Sequence, residues 1–196
     1  GTTEEIFHTV EGDVTCPFMH QSRDKTYYWA DAFSAVSQSL ENGGAMWFLL
    51  PDEGVTPEEL LQDEQAMTFL LNRETLSENN TYLRIHLTVP RFDVSAQLGL
   101  NDTLRGLGIT NVFDPALADF TPVSESQQLA LSRVLHGARV KVDEQGCEGA
   151  AYTAMLFAGS ARPPEEEVWF TLDRPFLFCV TGAQELPLFV GIVNQP

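Results

Sequence analysis

Val142-Asp143-Glu144-Gln145-Gly146-Cys147-Glu148-Gly149-Ala150-Ala151-Tyr152-Thr153-Ala154-Met155-Leu156 is the stretch on which the reading of this chain turns. Gly146 and Gly149 weaken a helix, and no stripe of large apolar groups recurs at helical spacing. The Ser/Gly/Pro mix of a flexible connector is missing too. Set out as an extended strand, with side chains alternating between faces, the segment sorts itself. Cys147, Gly149, Ala151, Thr153 and Met155 fall on one face, small or apolar and all uncharged. Glu148, Ala150, Tyr152, Ala154 and Leu156 fall on the other. The first face can be buried without stranding a charge, while Glu148 stays in water. The segment reads as a loop whose composition lets it become a buried strand. A plain surface loop of small residues is the alternative that composition leaves open.

Asp143 to Ala151 resembles the hinge of the serpin reactive-centre loop, where that family reads Asp-Glu-x-Gly-Thr-Glu-Ala-Ala. The resemblance continues on both sides. Upstream lie Phe48-Leu49-Leu50-Pro51, Leu107-Gly108-Ile109-Thr110-Asn111-Val112-Phe113, Ala118-Asp119-Phe120, and Leu131-Ser132 through His136. Downstream lie Arg174-Pro175-Phe176-Leu177-Phe178 and Leu188-Phe189-Val190-Gly191. One such motif is weak; several in order along the whole chain are specific. The fold it implies is α+β and strand-rich, with this chain as its C-terminal part: most of sheets B and C, two strands of sheet A and a few short helices. Residues 1–196 are expected to form a single domain, with the hinge and reactive-centre loop at 142–164.

Function follows from the same resemblance. It implies a suicide-substrate inhibitor of serine proteases, not an enzyme and without a cofactor, acting in the extracellular space. The loop is offered as substrate, acylated, and then inserted as a new sheet strand. Gly146, Cys147, Glu148, Gly149, Ala150 and Ala151 form the hinge. Cys147 stands where threonine is common and Gly149 where alanine is common; both are small enough to insert. Loop length places the scissile bond at Ser160-Ala161, with a slip of one or two residues as the rival register. Gly159, Ser160 and Ala161 are all small, which fits the shallow pockets of elastase-like or subtilisin-like proteases. Arg162 would serve a trypsin-like enzyme only in a slipped register, with Pro163 hindering cleavage. Arg91 and Glu144 match an ion pair where the loop enters the sheet, although lone charges at strand ends are commonly just solvated. His136 matches a histidine of the sheet-opening region, although between Val134 and other apolar neighbours it also reads as a core residue. The expected partners are a serine protease and the chain's own N-terminal half. The competing reading is a non-inhibitory carrier or chaperone of the same fold.

The bulk numbers agree with such a surface. The 196 residues allow one domain with a sizeable core. Twenty-eight acidic residues against 11 basic ones give a net charge of −17, which argues against nucleic acid, anionic membrane or a heparin-type ligand as partner. No apolar run is long enough to span a bilayer. Cys16, Cys147 and Cys179 are too few and too scattered for a disulfide framework, and no metal site completes around Cys16 and His20. Gly-x-Ser-x-Gly, phosphate-loop and His-Glu-x-x-His motifs are all missing.

Along the chain, strands are expected over Phe7–Met19, Tyr27–Trp29, Phe33–Leu40 and Ala45–Leu50, the last two joined by an Asn-Gly-Gly turn. Thr56-Pro57-Glu58-Glu59 is a capping box opening a helix in two pieces that runs through Leu71. Tyr82–Val94 reads as two strands meeting at Pro90. A short helix from about Asn101 stops at Gly108. Leu129–Lys141 leads into the long strand before the hinge. Trp169-Phe170, Phe176–Val180 and Leu188–Val193 close the sheets.

Overall fold

The computed structural model describes residues 1–41, 43–123, 129–148, 150–151 and 166–196, with the backbone alone for residues 74, 147, 148, 150 and 151. Two compact units emerge: residues 1–94 with 140–196, and residues 95–139. The strand-rich α+β class stands.

The larger unit is built on an eight-stranded sheet. Its strands are β1 (Thr2–Thr9), β2 (Gly12–Trp29), β3 (Phe33–Ser39), β4 (Ala45–Pro51), β5 (Asn80–Pro90), β10 (Glu167–Thr171), β11 (Phe176–Thr181) and β12 (Pro187–Val193). The order is β10-β5-β2-β3-β4-β11-β12, with β1 on the far part of β2. β10 runs parallel to β5, and the other pairings are antiparallel.

The Phe7–Met19 expectation needs correcting. A turn at Val10-Glu11 divides it into β1 and β2, with Gly12 at φ +136° and Thr9 Oγ1 donating to the Gly12 carbonyl at 2.7 Å. Glycine tolerates that backbone where most residues do not. β3 and β4 pair antiparallel as the expected hairpin, with Asn42 of its turn outside the described residues. Leu40 N–H donates to Gly44 O at 2.9 Å, and Gly43 sits at φ +79°.

Strands β4 and β11 hold the middle. Met46, Phe48 and Leu50 pack into one core with Phe176, Phe178 and Val180. Trp47 and Leu49 pack into a second core with Leu177 and Cys179. Both faces are covered, so these strands read as unbroken apolar runs instead of alternating ones. The second core is roofed by α1 (Pro57–Leu60) and α2 (Glu64–Leu71), which supply Leu60, Ala66, Phe69 and Leu70. The capping box is present: Glu59 N–H donates to Thr56 Oγ1 at 3.2 Å, and Thr56 N–H to Glu59 Oε2 at 2.8 Å. Asp63 caps α2 through Ala66 N–H at 2.7 Å.

A second sheet has the order β6 (Phe92–Gly99), β7 (Leu135–Asp143), β8 (Gly146–Glu148), β9 (Ala150–Ala151). Arg91 alone separates β5 from β6, at the break that Pro90 announced. In the smaller unit α3 (Asn101–Gly106) ends just before Gly108, whose φ is +86°. No helix among the described residues is long and apolar enough to cross a membrane.

Candidate functional site

The hinge begins as a tight reversal at the end of β7. Asp143 and Gly146 are paired across antiparallel strands, leaving Glu144 and Gln145 as a two-residue loop. Gln145 N–H donates to Asp143 Oδ1 at 2.8 Å, the local bond by which an aspartate opens a turn. Gly146 closes the reversal at φ +122°, where a side chain would be strained. The chain then returns along β7, with Val142 opposite Cys147 and Lys141 opposite Glu148. A further reversal brings Ala150 opposite Cys147 and Ala151 opposite Gly146. The described part of the segment thus forms two short strands, Gly146–Glu148 and Ala150–Ala151. Asp at the first turn position and Gly at the fourth were the available signal for the first reversal. Gly149 and the Ser160-Ala161 bond lie outside the described residues, as do the side chains of Cys147, Glu148, Ala150 and Ala151.

Glu144 and Arg91 meet at this turn. Arg91 Nε donates to Glu144 Oε1 at 2.8 Å, and a second guanidinium nitrogen donates to the same oxygen. Arg91 is held in place by its own N–H on the Pro17 carbonyl, 2.9 Å away. Thr2 Oγ1, at the start of β1, adds a third donor to Glu144 Oε1 at 2.6 Å. The Arg91 bond first, and Thr2 second, hold the Glu144 carboxyl down at about 2. Arg91 is raised in turn by the same bond. Neighbouring Asp143 is lowered, chiefly by its bond with Lys141 and then by Gln145 N–H. Nothing in the spacing of residues 2, 91 and 144 reveals this three-way contact. It depends on β1 starting and β5 ending beside the turn.

Glu144 and Gly146 also line a cavity of about 250 Å³. Met19, Leu40, Met46, Phe48 and Val89 make much of it apolar. The hinge thus borders a largely apolar hollow with Asp143, Glu144 and His20 also on its wall. His136 does not join this cluster; it belongs to the smaller unit, exposed on β7. Cys16 and Cys179 are buried free thiols, the Cys179 thiol pushed up by burial.

The comparisons cover the whole chain. The model of the family described as Serpin (serine protease inhibitor) matches residues 1–196. Alpha-1-antiproteinase S of Cavia porcellus is 34% identical over 100% of this chain and 47% of its own length. Leukocyte elastase inhibitor A of Mus musculus is 31% identical over 100% of this chain and 53% of its own length. Among solved structures, the thermophilic serpin tengpin in its native state matches with a TM-score of 0.76 and 26% identity, covering 100% of this chain and 50% of tengpin. The chain spans about half the length of the curated relatives it matches.

Proposed function

From the premise that this chain belongs to the serpin family, we propose that its parent protein is a suicide-substrate inhibitor of serine proteases of elastase-like or subtilisin-like specificity. It acts outside the cell as bait and not as a catalyst. The observation that carries the reading is the hinge. Its prospective inward face, Cys147, Gly149 and Ala151, is small and uncharged. Its first residues already take β pairing along β7. Strand addition needs both features, a free backbone edge and side chains that tolerate burial, and serpin loop insertion is a recognised instance of it.

The mechanism divides the work between residues. Ser160 enters the protease's primary pocket, and the Ser160-Ala161 bond is cut to give an acyl-enzyme. Insertion of the loop from the Gly146 end then outruns hydrolysis. Arg91 and Glu144 tie the end of β7 to the start of β6, so that the turn feeding the loop stays in place while the residues beyond it move. His136, apart from that pair, corresponds by family likeness to the sheet-opening region.

The test is incubation of the full-length protein with an elastase. A complex stable in SDS, with the cut mapped to Ser160-Ala161 by mass spectrometry, is the expected result. Clean cleavage without a complex would overturn inhibition in favour of a non-inhibitory carrier or chaperone. The 196 residues alone, without an N-terminal half to receive the strand, are expected to be cut and to trap nothing.

A further inference from the structure

The face of the larger unit that the hinge does not use carries a feature of its own. On β5 the side chains of Leu83, Ile85 and Leu87 are buried, so Tyr82, Arg84 and His86 point the other way. On β10, Glu167 is paired with Arg84 and Trp169 with His86. Trp169 is 70% exposed and Tyr82 64%. A single surface aromatic means little. Here, however, the indole is held. It stacks on the His86 ring at 4.7 Å between centroids and 15° between planes. The His86 ring is pinned at both nitrogens, to Ser22 Oγ at 2.9 Å and to Glu167 Oε2 at 2.9 Å. Beside it Arg84 Nε donates to Asp24 Oδ1 at 2.8 Å. An exposed aromatic held rigidly in this way loses little freedom when a partner covers it, which is what makes tryptophan and tyrosine effective anchors.

Position and charge say what the partner is. Along the sequence Glu165-Glu166-Glu167 joins the Ser160-Ala161 bond to β10, so a protease that grips the loop holds the chain within a few residues of Trp169. Three consecutive carboxylates in a chain of net charge −17 select a basic surface. Resting on the inhibitory reading above, we propose that the outward face of β5 and β10, anchored on Trp169, is an exosite for a protease with a basic rim. It is engaged before the loop is cut.

An exosite acts in the encounter, and loop insertion comes afterwards. Trp169→Ala in the full-length protein should therefore slow the second-order rate of inhibition of a basic elastase by about tenfold or more. The fraction of encounters that end in complex and not in cleavage should stay unchanged. Glu166→Lys should slow the same reaction at low salt, with the difference shrinking as salt screens the charge. An acidic subtilisin-type protease should be indifferent to Trp169→Ala. Equal rates for the wild type and Trp169→Ala, with complexes still forming, overturn the exosite alone. An indole shielded from acrylamide in the full-length protein before protease is added also overturns it, because its own N-terminal half then covers the face. Concentration-dependent dimers abolished by Trp169→Ala overturn it too, in favour of a second copy. Failure to trap either protease overturns the inhibitory reading itself, and the exosite with it.

Discussion

The centre of the sheet and the hinge are both β structure, yet they are specified in opposite ways. In β4 and β11 each residue has one fitting place. Phe178 is buried against Phe92, their ring centroids 5.4 Å apart, and packs so closely on β12 that a Cβ at Gly191 would lie 2.5 Å from its ring. In the hinge nothing is so particular. Apart from Glu148, residues 146 to 151 are small, and the strands they form are three and two residues long. Large interlocking side chains select one arrangement by making the others costly. Small uncharged ones leave several arrangements open. A chain that must hold a scaffold still and let a loop change sheets needs both kinds of sequence, next to each other.

The contrast breaks most visibly if the hinge is made particular. A charge at position 147, opposite the buried Val142, must either leave the sheet or be buried unpaired. The effective cost of burying an unpaired ion is several kcal/mol, and each 1.4 kcal/mol is a factor of ten. Cys147→Glu in the full-length protein should therefore lower the yield of SDS-stable complex by at least about tenfold. Cleavage at the loop should still proceed. Undiminished complex formation would mean that a charge at position 147 is no obstacle to loop insertion.

The centre should respond in the reverse sense. Phe178→Ala leaves a cavity beside Phe92 and Gly191 in the buried core. A loss of about 3–5 kcal/mol in unfolding free energy is expected, read from denaturant midpoints. The partition between complex and cleaved product should be untouched in the molecules that remain folded. A loss under about 1 kcal/mol would show that the centre is as forgiving as the hinge.

How much of this was readable in advance follows the same division. The apolar runs in Ala45–Leu50 and Phe176–Val180 announced strands, and the structure adds that both faces of each are buried. Thr56 and Glu59 announced a helix start because the capping box is local chemistry. Pro90 announced a break for the same reason. The parallel pairing of β10 with β5 was not readable, since Val168 and Ile85 are joined by register and by no signal of their own. The meeting of Thr2, Arg91 and Glu144 was readable only in part. Likeness to a family points to the acid and the base, while the threonine comes from a strand whose start carries no mark. In the hinge, composition showed that the segment can become strand. It did not show the reversal after Gln145, because period-two alternation says nothing about where a chain turns.

Lys25 sharpens the comparison from within the sheet. It is paired with Leu83 across β2 and β5, on the side where Leu83, Ile85 and Leu87 are buried. Its Nζ donates to Ser37 O at 3.0 Å and to Gln38 Oε1 at 2.5 Å, both neutral acceptors. Burial, and then the charge of Arg23, push the ammonium down to about 8. The sign is that of a base depressed on folding. The charged form is penalised in the folded state at neutral pH, and the penalty lifts as pH rises from about 8 towards the ordinary lysine value of 10.5. Lys25→Met should raise the melting temperature at pH 7, by about 2–4 °C per kcal/mol relieved at this chain length. The advantage should fade above about pH 10. A Lys25→Met protein no more stable than wild type at pH 7 would show that this face tolerates a charge as readily as the solvated turn does.

The smallest effect belongs to Glu144, and its size is informative. The carboxylate is solvent-exposed, so its pair with Arg91 contributes little to global stability. What remains is a signature in pH. A carboxyl held at about 2 when folded and near 4.5 when unfolded adds stability that is complete above 4.5 and lost as pH falls towards 2. Glu144→Gln should therefore differ from wild type slightly at pH 7, and the two curves should converge on acidification through that window. Amide exchange at Gln145 and Gly146 should report more than the melting temperature does. Those amides belong to the turn that the pair fastens, and local opening there is sensed without unfolding the sheet. Curves that stay parallel down to about pH 2, with exchange unchanged, would mean that the ion pair ornaments the turn and does not hold it. The stillness of the hinge's first residue would then have to come from Gly146 and the Asp143 bond to Gln145 alone.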